Sequence, residues 1–217
     1  MIFSNMKFAP LILIILASFA NAATFTVGNV NNPNDSNAIT LSNGTLIANG
    51  AGSVQVGYFS GVVDVPGASL ATLVSTFNPY GNLLNFGAGF VGADGNGIFS
   101  GNISGTPLAA PYAGQPLYLV ITNSAAGFTA LGVTAATEFL VWSKPSTFAS
   151  SEPSTDTINV QNAAGTLVQG GYNNFQHTFT SFGGTIAVPA YNLVAIPEPS
   201  TFLLASLGVL GLLRRRR

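Results

Sequence analysis

Along much of this chain apolar and polar residues alternate, and glycine, asparagine or proline interrupts the alternation about every ten residues. A period of two with frequent turns builds sheets and leaves little room for long helices. Residues 24–27, 53–59 and 176–180 alternate or nearly alternate, as half-buried strands do. Residues 117–122 and 138–142 are continuous apolar runs, the pattern of strands buried on both faces. Asn43-Gly44 separates Ile39-Thr40-Leu41 from Leu46-Ile47, and Asp94-Gly95-Asn96-Gly97 separates Phe90-Val91 from Ile98-Phe99. Both arrangements predict hairpins. One segment departs from the pattern. After Pro66-Gly67, Ser69 is placed to cap a helix carrying Leu70, Leu73, Val74 and Phe77 on one stripe, with Pro79 as its stop. Residues 146–156 are rich in Ser, Thr and Pro and predict an exposed loop. The expected class is all-β: an antiparallel β-sandwich or jelly-roll-like body with one short helix.

Charge is scarce and uneven. Charged residues are 6% of the 217, against about a quarter in ordinary soluble domains. Between residues 23 and 199 Lys144 is the only cation, set against Asp35, Asp64, Asp94, Glu138, Glu152, Asp156 and Glu198, a net charge of −6. Solubility there rests on Asn, Ser, Thr and Gly, which suits an extracytoplasmic surface. No basic field exists for nucleic acid. The lack of cysteine excludes a disulfide framework, a thiolate metal site and a cysteine nucleophile, and a single histidine excludes a histidine-ligand cluster.

The two ends are apolar. Lys7 precedes an apolar run over 8–19 that closes on Ala20-Asn21-Ala22, with small residues at Ala20 and Ala22 where a signal peptidase needs them. Residues 1–22 therefore read as a signal peptide, its apolar run a helix, and the mature chain is expected to begin at Ala23. At the other end, Ile196-Pro197-Glu198-Pro199 is followed by Ser200-Thr201, an apolar run from Phe202 to Leu213, and Arg214, Arg215, Arg216 and Arg217. Two prolines around one residue keep the backbone extended and delay any helix until Ser200 or Thr201 caps one. Fourteen residues from Ser200 to Leu213 make about 21 Å of helix, short against a hydrocarbon core of about 30 Å. Clustered arginines beyond such a transmembrane helix stay cytoplasmic, so the expected topology is body outside, arginines inside.

These last residues, 196–217, resemble the PEP-CTERM sorting signal: the Pro197-Glu198-Pro199 motif, the apolar run and the arginine block occur in order. The resemblance implies a bacterial export, usually of a Gram-negative species that makes exopolysaccharide. It implies an exosortase, a membrane-embedded cysteine protease or transpeptidase, that cuts near the motif. The protein would be anchored transiently in the inner membrane, then released or transferred to the cell surface or extracellular matrix. Residues 23–195 form the body between the two signals. Its Ser53-Val54-Gln55-Val56-Gly57-Tyr58-Phe59, Phe77-Asn78-Pro79-Tyr80-Gly81, Gly114-Gln115-Pro116-Leu117-Tyr118-Leu119-Val120-Ile121-Thr122-Asn123 and Ala136-Thr137-Glu138-Phe139 are similar to a recurrent body of PEP-CTERM proteins. That similarity implies an exported β domain and no particular activity.

Candidate chemistry in the body is thin. His177 lacks a serine in a Gly-x-Ser-x-Gly setting, the near match Phe99-Ser100-Gly101 missing its first glycine. Asp64, Asp94, Glu138 and Asp156 are the inventory for a glycosidase pair, which needs two opposed carboxylates about 5–10 Å apart. Glu138 stands out by opening an apolar strand, where capping the strand at the domain edge is its ordinary role. Asp94-Gly95-Asn96-Gly97 resembles the start of a calcium loop, but Gly105 stands where an EF-hand has its glutamate. Asn34, Asn43 and Asn102 sit in acceptor sequons. Tyr58, Tyr80, Tyr112, Trp142 and Tyr172 are candidates for a sugar-facing row or for core. No catalytic, metal or cofactor residue is expected. The expected role is a non-enzymatic structural or adhesive protein linked to exopolysaccharide. The alternative is a polysaccharide-binding module or polysaccharide-active enzyme on a jelly roll.

Overall fold

A computed structural model describes residues 23–32, 35–61, 63–88, 95–105, 111–149, 155–160, 165–179 and 186–195. The signal segment 1–22 and the sorting segment 196–217 lie outside the described residues. Among the described residues no helix is long and apolar enough to cross a membrane. The body is mostly β with one short helix. Its elements are β1 (Thr24–Gly28), β2 (Val30–Asn32), β3 (Asp35–Ser36), β4 (Ala38–Thr40), β5 (Ser53–Phe59), α1 (Leu70–Thr76), β6 (Phe77–Asn85) and β7 (Ser100–Ser104). There follow β8 (Pro116–Thr122), β9 (Glu138–Thr147), β10 (Thr155–Asn159), β11 (Thr166–Gln169), β12 (Gly171–Phe179), β13 (Ile186–Asn192) and β14 (Val194–Ala195).

The central sheet has six strands in the order β11-β9-β8-β5-β6, with β14 added beside β9. Side-chain parity divides its two faces. Leu117, Leu119 and Ile121 of β8 and Leu140 and Trp142 of β9 join one core with Phe25, Val27, Ile103 and Ile158 from the sheet β10-β1-β7. Val120, Phe139 and Val141 point the other way and meet Leu70 and Leu73 of α1 with Phe77 and Phe128. The continuous apolar runs thus do lie in strands covered on both faces, as expected. A third sheet, β12-β13-β4, and a small β2-β3 pair complete the body.

Several expectations need correction. All seven residues of β5 are buried, not half of them, because β5 lies between β8 and β6 with cores above and below. One polar residue of that strand, Gln55, is accommodated by accepting the Phe128 N–H on Oε1 at 2.6 Å. Two pairings are parallel, β1 with β10 and β13 with β4, so the two three-stranded sheets are mixed while the central sheet is antiparallel as expected. Ser69 caps α1 as expected, its Oγ accepting the Thr72 N–H at 3.1 Å. The helix nevertheless stops at Thr76. Phe77 turns extended and opens β6, and Pro79 sits inside that strand. Proline is tolerated because β6 is the sheet edge.

The Asn43-Gly44 turn forms, with Gly44 at φ +83° and Asn43 Oδ1 accepting the Thr45 N–H at 2.9 Å. Its second arm makes only the bridge Thr40–Leu46 instead of a strand. Residues 89–94 are outside the described residues, and Ile98 and Phe99 follow a turn without joining a strand. The expected loop 146–156 begins as strand through Thr147 and ends as strand from Thr155, while Phe148 is fully buried. Phe148 packs edge-on against Phe25, at 5.4 Å between ring centres, which holds that residue in the core, while residues 150–154 of the expected loop lie outside the described residues.

Candidate functional site

Pro197, Glu198, Pro199, Arg214, Arg215, Arg216, Arg217, Ala20 and Ala22 all fall outside the described residues. The structure does describe where the chain enters and leaves the body. At the entry, Ala23 is buried in the main core and its carbonyl accepts the Tyr80 hydroxyl at 3.2 Å. At the exit, Leu193 is buried and donates its N–H to Thr40 O at 2.8 Å. Beyond it Val194 and Ala195 pair with Phe139 and Glu138 of β9.

Glu138 organises this exit. Its backbone exchanges two hydrogen bonds with Asn123: Asn123 N donates to Glu138 O at 3.1 Å, and Glu138 N donates to Asn123 Oδ1 at 2.9 Å. Its carboxylate grips the turn after β4. Ser42 N donates to Oε2 at 2.7 Å and Ser42 Oγ to Oε1 at 2.6 Å. Both carboxylate oxygens are therefore engaged in holding the fold together. Glu138 does cap its strand at the domain edge, as a structural residue would.

Among the described residues the other candidate groups do not converge on it. Asp156 pairs with Lys144, six residues along β9 from Glu138. At about 3.3 Å per residue the Lys144 backbone lies about 20 Å from that of Glu138, so the two carboxylates are held at opposite parts of β9 by different partners. Asp64 lies exposed in a turn, its carbonyl accepting the Gly67 N–H at 3.1 Å. His177 stands on β12 opposite Val188. Burial lowers its pKa below the usual imidazole value, and Nε2, screened from solvent although the ring is only half-buried, has no hydrogen-bond partner among the described residues. Ser100 begins β7 opposite Gly28, with no helix behind it, so it is no nucleophile elbow. Among the described residues no three His, Cys, Asp or Glu side chains gather as a metal site. A groove of about 370 Å³ between α1 and residues 130–135 is lined by Leu70, Val74, Ala130 and Val133 among others and carries no titratable side chain.

The aromatic candidates divide clearly. Tyr58, Tyr80 and Trp142 are buried, and Tyr112 stacks edge-on against Tyr58 and Tyr80 while donating its hydroxyl to Pro79 O at 2.8 Å. Only Tyr172 of these five is well exposed, at 55%, leaning on Tyr191. They make no open row.

A different surface is built from segments that the sequence reading marked as a strand at 24–27, a sequon at Asn102 and the end of a loop at 155–156. The outward face of β10-β1-β7 sets Ser104, Thr24 and Thr155 in one row and Asn102, Thr26 and Thr157 in the next. Thr24 and Ser104 hydroxyls lie 3.0 Å apart, Thr26 Oγ1 donates to Asn102 Oδ1 at 3.0 Å, and Asn82 Oδ1 of β6 accepts the Ser104 N–H at 2.7 Å. The six side chains are uncharged, and their hydroxyls and amides both donate and accept. The sequence signal was available as Thr-x-Thr at 24–26 and 155–157 and Asn-x-Ser at 102–104, but nothing local says that three segments so far apart become neighbours.

Against known proteins, no curated protein and no solved structure matches the chain. Residues 195–217 match the family model described as the PEP-CTERM protein-sorting motif. A motif of that kind implies export and processing by an exosortase. Its span begins at Ala195, which pairs with Glu138 and is the last of the described residues. By this match the chain carries a PEP-CTERM protein-sorting motif over residues 195–217.

Proposed function

We propose that the body is a β-sandwich with a non-enzymatic structural or adhesive role at the surface or in the matrix of a Gram-negative-type bacterium, in contact with exopolysaccharide. Signal peptidase removes residues 1–22. Residues 200–213 anchor the precursor transiently in the inner membrane with the arginines inside, and an exosortase then acts at Pro197-Glu198-Pro199. The sandwich reading is supported by the shared core between the six-stranded sheet and β10-β1-β7.

The observation that carries the role is the two-row face of Thr24, Thr26, Asn102, Ser104, Thr155 and Thr157. Such a face trades hydrogen bonds with sugar hydroxyls without first stripping water from a charge. The non-enzymatic reading is supported by the engagement of Glu138 with Ser42 and of Asp156 with Lys144, at separate places on β9.

The test is retention of the mature protein on the producer's own polysaccharide, with assay of released reducing ends. Retention without release is expected. Glu138→Ala should keep that retention while losing about 1–2 kcal/mol of unfolding free energy, since two hydrogen bonds to a partly exposed carboxylate disappear. Hydrolysis that vanishes in Glu138→Ala while the fold survives would overturn this in favour of an enzyme.

A further inference from the structure

Resting on the reading that an exosortase holds Pro197-Glu198-Pro199, we propose that this enzyme also docks against the end of the six-stranded sheet from which Ala195 leaves. Ala195 is fixed opposite Glu138, the first residue of β9, so the sheet offers no further strand along which the chain continues to pair. Pro197 and Pro199 have no N–H with which to extend the ladder. Pro197 lies two residues beyond Ala195, and a chain spans at most about 3.6 Å per residue. The motif therefore begins within about 7 Å of the sheet's last pair. Peeling β14 away changes little. The next anchor is Leu193, buried and bonded to Thr40, which holds Pro197 within about 14 Å. A single helix with its side chains is about 10 Å across, so an enzyme that encloses the motif meets this end of the body.

The surface it meets is small, polar and nearly neutral. Ser42, Asn43 and Ala136 are exposed there, and Asn123 joins Ala136 through an Nδ2–H donated to the Ala136 carbonyl at 3.3 Å. Among the described residues at this junction Glu138 carries the charge, and Ser42 donates to both of its oxygens. Close approach by a partner thus strips little water from charge. Body and motif together form the substrate, and the sheet end sets how deeply the motif enters.

The test uses the full-length chain in membranes containing the exosortase, following conversion of precursor to mature protein by pulse-chase. Ala136→Trp and Ala136→Arg place bulk or charge at an exposed position whose side chain makes no hydrogen bond. Each should slow conversion about tenfold with an unchanged melting temperature. Nine Gly/Ser residues inserted between Ala195 and Ile196 should restore both variants to near the wild-type rate. Wild-type rates in both variants, or slowing that the insert does not relieve, overturn the docking. A wild-type chain that is never converted defeats the exosortase reading itself, and the docking with it.

Discussion

Gly57→Ala should lower the unfolding free energy of the body by about 3 kcal/mol, read as a shift of the urea midpoint at unchanged slope. Gly57 sits in the middle of β5 with the Phe77 ring laid over it and the Asn78 carbonyl beside it, so a methyl group has no room on that face. Phe77 is itself held by Phe59 and Phe128, with ring centres 5.2 and 5.8 Å away, and cannot swing aside alone. The clash would reach the heart of the second core. Against a total of about 5–15 kcal/mol for a domain, that loss is large. Gly44 makes the contrasting case, since nothing lies within 4 Å of a Cβ there and its cost comes from φ +83° alone. Gly44→Ala should lose only about 1 kcal/mol. Equal losses at the two positions would mean that the Phe77 ring does not close over β5.

The second large effect concerns processing. Replacing Pro197-Glu198-Pro199 by three alanines should abolish conversion of the precursor while leaving the melting temperature of the body unchanged. The motif follows the last described residue, Ala195, so none of the contacts described in the body involves it. Three alanines also remove two rings that fix the backbone and lack an N–H, which changes the local shape that an enzyme would read at Pro197-Glu198-Pro199. Immunoblots of membrane and medium fractions separate the outcomes. Normal conversion of the triple-alanine chain would show that the motif does not direct processing.

Local signals were legible and distant ones were not. Ser69 and the Leu70/Leu73 stripe locate α1 because a cap and a 3.6-residue period act within a few residues. The apolar runs of β8 and β9 announce their two-sided burial because both faces need covering whatever covers them. β5 looked half-buried since Ser53 and Gln55 are polar, yet both are sealed inside by partners remote in sequence: Ser53 Oγ donates to Ser124 O at 2.6 Å, and Gln55 accepts from Phe128. Asn29 is a sharper instance. It is fully buried, donates to Asn37 O at 2.7 Å and Gly97 O at 2.8 Å, and accepts from Phe99 N at 2.8 Å. No pattern around Asn29 announces that it pins the segment after β1 to the one before β7.

The site divides in the same way. The sorting motif is a contiguous string and was readable in full, and the family match over residues 195–217 agrees with it. The hydroxyl face depends on β1 meeting β7 in antiparallel and β10 in parallel register, across about eighty and one hundred and thirty positions. Only the fold makes that juxtaposition. Glu138 shows both sides: its place at the start of a strand was legible, while its grip on Ser42, ninety-six positions away, was not.

The most direct measurement is the intact mass of the exported protein, purified from the producing cell without a tag. Cleavage after Ala22 and near Pro197 predicts a product beginning at Ala23 and ending close to residue 196, with or without a surface acceptor attached. A mature, exported chain that still carries Arg214, Arg215, Arg216 and Arg217 would contradict sorting by an exosortase.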